Sequence, residues 1–535
     1  MTNKTNFQRA LLLSTSLPAA FMLAPSAQSR DVTVPAPVAP ATSVSGANVN
    51  ASIVTAITAP DDANLKLTVP AAAVVLGDSI VLNPSTGQGD GKIEFLNDGK
   101  IGAIDAATGA VTDSAGAIFN GRAAAGATNS FTGTNNGLIA GGLRAVGFGG
   151  DVAITNGGTI HNGITATGRG AVSVTTSAAG AVRSGNVVAQ STTLDTAAAP
   201  VDSMTKTSFT GGKASIVQAG DAADVDDTVR GSLSATGLGG AEVTVSAKAR
   251  NVTANAGGII ETVSGSNPVV TGTVTTTTNR FDVTRGGGAA KVTVGADGDV
   301  VFVSANGVGG ASAAIDGAVE NGVNVNSSGA STTSTDVSVV DGVLPVSSST
   351  KFTSTAVGKA AELSVGEDGS IGGSASVNGQ GGASATIDGA VDGSVSLTST
   401  ATNNVYDSAS TPAGYVYSDN YVAAGGSATG AVGATGAVDG NFTAIGDNSV
   451  VLTNAGTIKG NVSGTSRRTV TSYSGKGSNT TTTSATLNEV SSQDETLTRS
   501  AIHPLRVMYL SLEKAQNTPL FNRTLLHVRN RRSHC

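Results

Sequence analysis

Residues 309–319 read GGASAAIDGAV and residues 381–391 read GGASATIDGAV, so the same string returns after 72 residues with a single change. A second string, AKVTVGADGDV at 290–300, returns as AELSVGEDGSI at 361–371, after 71 residues. GGAEVTV at 239–245 resembles the start of the first string about 70 residues earlier. Similarity at a fixed period is the signature of repeat architectures. The chain therefore contains a duplicated unit of about 70 residues.

A shorter motif, Asn-x-Gly-x-Ile, is spread more widely along the chain. Asn and Gly tolerate positive φ, and the aliphatic residue that follows begins an inward-facing alternation, so the motif predicts a turn leading into a strand. It occurs at residues 97–101, 135–139, 156–160, 255–259 and 454–458.

The segments beside these turns alternate with period two, as in AEVTVS at 241–246 and KVTV at 291–294, whereas helical periodicity is absent outside the two termini. Gly supplies 71 of 535 residues, aromatic residues make up 3% and Trp is absent, so side chains that fill a thick globular core are lacking. Short strands without regular hairpin-length Asn-Gly turns predict an all-β, repetitive parallel β-helix (β-solenoid) with Gly/Asn-rich turns. Its interior would be one narrow column of Val, Ile, Ala and Thr.

Composition excludes several other classes. The net charge of −7 and the mean hydropathy of +0.10 argue against charge-driven disorder. Gly and Pro together number 71 + 14 = 85 of 535 residues, below the low-complexity threshold of about 25–30%. The only cysteine is Cys535, so the chain has no intrachain disulfide.

The N-terminus has the order of a secretory signal peptide. Lys4 and Arg9 precede an apolar stretch at 10–23, and small residues follow, with a candidate cleavage site at 27–29. The stretch is shorter than the ~20 residues that span a bilayer. We predict a signal peptide at 1–29.

The rest of the chain divides into three parts by composition. Residues 30–90 form a Pro/Ala-rich leader with the first strands, and residues 91–477 carry the β-solenoid repeats. Residues 478–535 contain no Gly and, from Arg499 onward, seven basic residues against Glu513 alone. A solvated tail is the commoner interpretation of such a charge cluster, so we expect no nucleic-acid partner. The abrupt change in composition predicts a tail outside the solenoid, for instance one created by a change of reading frame.

The signal peptide, the Gly/Ala/Ser/Thr/Val bias and strings such as TNAGTIKG at 453–460 resemble the passenger of a bacterial autotransporter (type V secretion). The resemblance covers roughly residues 91–470 and implies a parallel β-helix displayed on, or shed from, a Gram-negative cell. Such proteins end in a C-terminal β-barrel translocator of well over 100 residues, which the 58 residues from 478 to 535 cannot supply. This departure has three possible explanations: the barrel has been lost, the translocator is a separate outer-membrane chain, or the protein never crosses the outer membrane.

Candidate chemistry is sparse. The densest group of carboxylates consists of Asp221, Asp224, Asp226 and Asp227, and it could bind Ca²⁺. We favour a solvated acidic turn instead, because the nonapeptide repeats of calcium-binding β-rolls are absent from the sequence. His161 comes directly after one copy of the repeat motif, and Lys459 occupies the equivalent position after the last copy. This difference favours a variable solvent-facing position over a catalytic one. We therefore assign no catalytic, cofactor-binding or metal-binding residue and expect neither enzyme activity nor a cofactor.

Two further clusters have structural and functional interpretations. Tyr406, Tyr415, Tyr417 and Tyr421 would form a contact patch on a loop excursion or, as we favour, pack over the flank of the solenoid. The Thr run at 275–278 suggests an ice-binding surface, but we discount this function because the sequence contains no regularly repeated Thr-x-Thr ladder.

Repetition without a chemical focus favours an exported structural or adhesive protein. The solenoid face would contact surface polysaccharide, matrix or other cells, and the protein would be cell-surface, secreted or periplasmic. The alternatives are a β-helical carbohydrate-active enzyme, which would need paired carboxylates in a groove, and a truncated passenger without present function.

Overall fold

The computed structural model describes residues 30–33, 65–77, 79–82, 91–121, 128–191, 194–201, 204–220, 231–412, 414–476 and 479–493. These residues form strands and turns, and they contain no helix that is long and apolar enough to cross a membrane. The predicted signal peptide and the predicted tail from residue 494 onward lie outside the described residues.

A first parallel sheet runs the length of the molecule. Each of its strands alternates buried and outward-facing residues, as in the AKVTV strand β27, because one face packs on the interior and the other meets solvent. Its strands, in spatial order, are β1 (Arg30–Thr33), β2 (Leu65–Val69), β5 (Lys92–Asn97), β10 (Ser130–Asn135), β13 (Val152–Asn156), β16 (Val172–Thr176), β21 (Lys213–Gln218), β23 (Gly240–Val245), β27 (Ala290–Val294), β29 (Ala311–Ile315), β33 (Ala360–Val365), β36 (Gly382–Ile387), β41 (Ala428–Val432) and β44 (Val450–Asn454).

A second parallel sheet consists of two-residue strands that end in a buried aliphatic side chain. In the middle of the molecule the second sheet is formed by the first two residues of three longer strands, which begin at Lys248, Asp299 and Ala318. Lys248 and Ala249, for example, pair with Asp299 and Val300. The short strands are β3 (Val74–Val75), β6 (Lys100–Ile101), β11 (Leu138–Ile139), β14 (Thr159–Ile160), β17 (Ala181–Val182), β34 (Ser370–Ile371), β37 (Ala390–Val391), β42 (Ala437–Val438) and β45 (Thr457–Ile458).

A third parallel sheet completes each turn of the coil. The chain passes from the first sheet to the second, then to the third, and returns to the first one strand further along. This order of three stacked parallel sheets confirms the predicted all-β parallel β-helix. The third sheet contains β4 (Ile80–Leu82), β9 (Ala117–Asn120), β12 (Leu143–Phe148), β15 (Ile164–Gly168), β18 (Val187–Ser191), β22 (Leu233–Gly237), β24 (Lys248–Ala256), β28 (Asp299–Gly307), β30 (Ala318–Ser327), β35 (Ser374–Gly379), β38 (Val395–Ser399), β43 (Phe442–Gly446) and the start of β46 (Val462–Lys476).

The structure also contains hairpins, which the sequence analysis did not predict. They leave the corner where the third sheet would return to the first, and their strands pair with one another as one continuous antiparallel sheet, which we call the fin. A separate small hairpin of β7 (Ala103–Ile104) and β8 (Val111–Asp113) leaves a different corner. The fin contains β19 (Leu194–Val201), β20 (Met204–Thr210), β25 (Ile259–Thr271), β26 (Val274–Gly286), β31 (Ala330–Asp341), β32 (Leu344–Ala356), β39 (Thr402–Thr411), β40 (Gly414–Ala423), β46 and β47 (Asn479–Gln493).

From β18 onward, a fin hairpin leaves the coil at every second turn, whereas β12 and β15 return to the first sheet without one. Neighbouring strands in any sheet lie ~4.8 Å apart, so the two strands of a hairpin fill ~9.6 Å, which is the rise of two turns. The fin and the coil therefore extend at the same rate, and each hairpin meets the next in register.

This geometry explains the period in the sequence. Ala290 pairs with Ala311, which pairs with Ala361, so the 71 residues from 290 to 361 are two turns plus the hairpin β31–β32. Ala311, Ala361 and Ala383 are related in the same way. The duplicated unit is thus two turns of coil and one fin hairpin.

The interior is the predicted column of small aliphatic side chains, interrupted by aromatic rings near one end. Phe95, Phe119, Phe131 and Phe148 stack inside two consecutive turns with ring centroids 4.8–5.5 Å apart. A side-chain Cβ at Gly133 would lie 2.7 Å from the Phe131 ring, so a glycine makes the room that the ring occupies. At this position the coil accommodates the ring because the neighbouring residue has no side chain.

Buried amides form a ladder inside the corner between the first and second sheets. Nδ2 of Asn97 donates to Oδ1 of Asn135 at 2.7 Å, and Nδ2 of Asn135 donates to Oδ1 of Asn156 at 2.8 Å. All three residues are fully buried, and each begins an Asn-x-Gly-x-Ile motif whose Ile is buried too. The motif at 454–458 occupies the same corner. The motif at 255–259 does not, since it joins β24 to β25 at the base of the fin.

Strands occur on both sides of the two predicted boundaries of the repeat region. The first turn of the coil is formed by β2, β3 and β4, which begin at Leu65, within the segment 30–90 that the sequence predicts to carry the first strands. The predicted tail begins at residue 478, just before β47, and β47 pairs along its whole length with β46.

Candidate functional site

The outer face of the third sheet carries an uncharged polar surface, which we call the polar wall. The parts of β22, β24, β28, β30, β35 and β38 that lie in the third sheet each place two side chains outward between buried residues. Each of these positions is Ser, Thr or Asn, whereas the preceding corner residues of β24, β28 and β30 include the exposed Arg250, Phe302 and Glu320. The wall consists of Ser234, Thr236, Thr253, Asn255, Ser304, Asn306, Asn324, Asn326, Ser376, Asn378, Ser396 and Thr398.

In-register pairing arranges these side chains as two parallel columns. Asn255, Asn306, Asn326 and Asn378 follow one another strand by strand in one column. Strands lie ~4.8 Å apart and residues i and i+2 ~6.6 Å apart, so donors and acceptors repeat on a regular grid.

Hydrogen bonds inside the wall fix its amides. Nδ2 of Asn306 donates to Oδ1 of Asn255 at 2.9 Å and to Oγ of Ser304 at 2.9 Å. Nδ2 of Asn378 donates to Oγ of Ser376 at 3.1 Å. Side chains held by their neighbours lose less conformational entropy when they bind a partner. The wall is therefore a pre-organised surface of hydroxyl and amide groups.

The outer face of the first sheet is chemically different because it carries charge. Glu242 lies between Lys213 and Lys291 on adjacent strands, hydrogen-bonded to Lys213 and 3.7 Å from the Nζ of Lys291. The Lys213 hydrogen bond is the main cause that lowers the pKa of Glu242, although partial burial opposes it. Exposed pairs of this kind contribute little to stability. The contrast leaves the polar wall as the extended neutral face of the coil.

The second sheet carries a mixed column of charge at the corner that follows each short strand. His161 and Arg183 occupy equivalent positions on consecutive turns, and burial, followed by the nearby Arg183 charge, lowers the pKa of His161. Nζ of Lys459 and Oδ2 of Asp439 form an ion pair of 2.8 Å at the same place near the other end. His161 and Lys459 are thus equivalent in the coil, as the motif predicted.

No group of three or more His, Cys, Asp or Glu residues that could hold a metal ion occurs in the described part of the chain. The four aspartates at 221–227 lie outside the described residues. Asp316 and Asp388 lie in turns between the first and second sheets, where Asp316 is exposed and Asp388 is partly buried.

The clustered tyrosines lie on the fin, in strands β39 and β40, and not over the flank of the coil as we favoured. The hydroxyls of Tyr406 and Tyr415 are 2.8 Å apart, and the rings of Tyr415 and Tyr417 stack with centroids 6.0 Å apart. The hydrogen bond with Tyr406 is the main cause that raises the pKa of Tyr415.

Sequence reasoning missed both the polar wall and the fin. The wall residues stand at alternate positions in separate segments, so they become one surface only when the register is known. The hairpins did leave a signal: Gly272 and Gly342 open their two-residue turns with φ of 64° and 63°, as a type II′ turn requires. The strings Thr271-Gly272 and Asp341-Gly342 carried that signal.

No known protein family, curated protein or solved structure matches this chain.

Proposed function

We propose that this protein is an exported structural and adhesive β-helix of the autotransporter-passenger type, displayed at or beyond the surface of a Gram-negative cell. The polar wall is its contact surface, and its partner is a neutral polymer rich in hydroxyl groups, such as a surface polysaccharide or a matrix glycan. The protein acts by binding and not by catalysis.

The composition of the polar wall carries this proposal. The twelve outward positions of the polar wall, two on each of six adjacent strands, include no charged and no aliphatic side chain. Unpaired charge would cost desolvation energy against a neutral partner, whereas hydroxyl and amide groups exchange hydrogen bonds with sugar hydroxyls at little net cost. A single such bond is weak, but a repeating polymer engages many at once, and linked weak contacts multiply into useful avidity.

The binding test compares matched charge insertions on two faces of the coil. Thr253→Glu with Thr398→Glu places two carboxylates on the polar wall. Thr293→Glu with Thr386→Glu places the same two groups on the outer face of the first sheet, which already carries charge. Co-sedimentation with insoluble neutral glucan and with acidic polysaccharide measures retention.

We expect the wild type to bind the neutral polymer, the wall variant to lose most of that binding, and the first-sheet variant to keep it. Equal behaviour of the two variants, or a wild type that binds no neutral polymer, would contradict the polar wall as the contact surface. Solubility and far-UV circular dichroism of each variant control for misfolding.

Export has a separate test. Fractionation of expressing Gram-negative cells, with N-terminal sequencing of the mature chain, should find the protein outside the cytoplasm with residues 1–29 removed. A cytoplasmic chain with an intact N-terminus would refute the exported location while leaving the binding result to stand on its own.

A further inference from the structure

The two faces of the fin differ in chemistry. Residues paired across antiparallel strands point to the same face, so the pairing fixes the face of every residue. One face carries the charged side chains of Lys206, Glu261, Arg280, Asp282 and Lys351 among valines and, where the fin's side chains are described, no aromatic side chain. The other face also carries charge, at Arg285, Asp336 and Asp419, so the aromatic side chains are what distinguishes it. We call it the aromatic face.

Among the fin residues whose side chains the structure describes, seven aromatic residues share the aromatic face. Phe281, Ser334, Phe352 and Tyr406 stand in one cross-strand row, and the remaining aromatics lie an even number of residues from it on their own strands. No aromatic side chain occupies the opposite face in the described side chains of the fin. The seven are Phe209, Phe281, Phe352, Tyr406, Tyr415, Tyr417 and Tyr421.

The aromatic face is accessible. Phe281 is 52% exposed and Tyr415 is 39% exposed. On the opposite face Val416 is 42% exposed, so the fin is a single layer that the coil covers on neither side at these positions. Among the side chains described in β25, β26, β31, β32, β39 and β40, only Asp282 and Ser408 are buried. A cluster of partly exposed aromatic side chains on one face of a single-layer sheet is typical of a protein interface, where aromatic residues are enriched.

The size and character of the aromatic face fit a second copy of the same sheet. Six strands at ~4.8 Å and about ten residues at ~3.4 Å span roughly 29 by 34 Å, or about 1,000 Å². A stable dimer needs about 800 Å² from each partner. Two sheets pack face to face at ~10 Å through interdigitating side chains, and tyrosine and phenylalanine are enriched in such interfaces.

We propose that the aromatic face of the fin is a self-association surface, through which the fins of two chains pack face to face about a two-fold axis. An isologous interface suits this face because the same patch meets itself, and its tyrosine hydroxyls and flanking serines supply hydrogen bonds at the rim. The inference goes beyond the proposed binding of neutral polymers, which uses a different sheet.

The test is the oligomeric state of the full chain with substitutions on either face of the fin. Phe281→Ser with Tyr415→Ser removes two exposed aromatic side chains from the aromatic face. Val269→Ser with Val416→Ser removes two exposed aliphatic side chains from the opposite face and is the matched control. Analytical ultracentrifugation over a range of concentrations gives the dissociation constant of each protein.

We expect a dimeric wild type, a control that dimerises with the same constant, and an aromatic-face variant whose dissociation constant rises about tenfold or more. A wild type that stays monomeric at 100 micromolar or more would overturn the proposal, and so would equal weakening by both variants. The chain has no Trp, and five of its six tyrosines lie in strands β39, β40 and β46, so tyrosine emission reports mainly on the fin. Emission that changes on adding oligosaccharide to a monomeric chain would assign the aromatic face to glycan binding instead and would also overturn self-association.

Discussion

At the scale of single residues, the buried asparagine ladder stabilises the corner between the first and second sheets. Asn135→Ala removes the acceptor of Asn97 and the donor to Asn156, both fully buried. Because buried polar groups left unpaired cost about 1–3 kcal/mol each, we expect a loss of about 2–4 kcal/mol in local stability. Hydrogen exchange of the amides in β5, β10 and β13 measures it.

Asn454→Ala is the matched control for that prediction. Asn454 holds the same place in the last turn but is half-buried, and its side chain accepts one hydrogen bond from the Gly456 amide at 3.1 Å. We expect this change to cost about 1 kcal/mol. If the two substitutions destabilise their turns equally, burial of the ladder is not what makes it stabilising.

A second residue-scale prediction concerns volume compensation between Gly430 and Phe442. A Cβ on Gly430 would lie 2.5 Å from Cε1 of Phe442, so Gly430→Ala alone should cost about 1–3 kcal/mol by overpacking. In the preceding turn the equivalent residues are Ala385 and Val395. We therefore expect Gly430→Ala with Phe442→Val to be less destabilising than the sum of the two single changes, in a double-mutant cycle on chemical unfolding. If the losses in unfolding free energy are additive, the side chains at positions 430 and 442 do not compete for the same interior volume.

At the scale of elements, the coil and the fin are separable because fin strands pair with other fin strands. Between β35 and β36 the coil makes the same corner with residues 380–381 alone. Replacing residues 400–426, which include β39 and β40, by Gln-Gly should therefore leave the coil folded. The amides of β32 that pair with β39 should exchange about tenfold faster or more, because that edge loses its partner.

The readout of this deletion is residue-resolved hydrogen exchange with circular dichroism. Amides of β36 and β41 are the internal control and should keep their protection. Global unfolding of the shortened chain would mean that the fin is required for the coil and would refute the separation.

Much of the coil could be predicted from sequence because its physical causes are local. The Asn-x-Gly-x-Ile turn and the Val-x-Val alternation each follow from side chains within a few residues. The fin could not be predicted in this way, since the run Thr275–Thr278 faces solvent on both sides of a single layer and has no one-sided hydrophobic pattern. The polar wall could not be predicted for another reason. It depends on pairing between residues that are about 20–50 positions apart in the sequence, such as Ser304 with Asn324 and with Thr253.

At the scale of the whole molecule, the coil and the fin form one assembly with a common rise. Each turn contacts its neighbours, so stability is a sum of local terms along the axis. The central claim is that hairpins from alternate turns share one antiparallel sheet beside a parallel coil. Because Cys535 is the only native thiol, a Cys535→Ser background permits engineered cysteine pairs to test strand register directly.

The decisive measurement is disulfide formation under mild oxidation, identified by mass spectrometry of the linked peptides. Paired Cα atoms in adjacent strands lie within the 4.4–6.8 Å that a disulfide spans. Thr277→Cys with Ser338→Cys tests the fin, and Thr293→Cys with Ala314→Cys tests the coil, since each pair is directly opposed. We predict that both pairs cross-link within the monomer, whereas Thr277→Cys with Ser334→Cys, four residues out of register, does not. Efficient linkage of the out-of-register pair, or none in either opposed pair, would contradict the architecture.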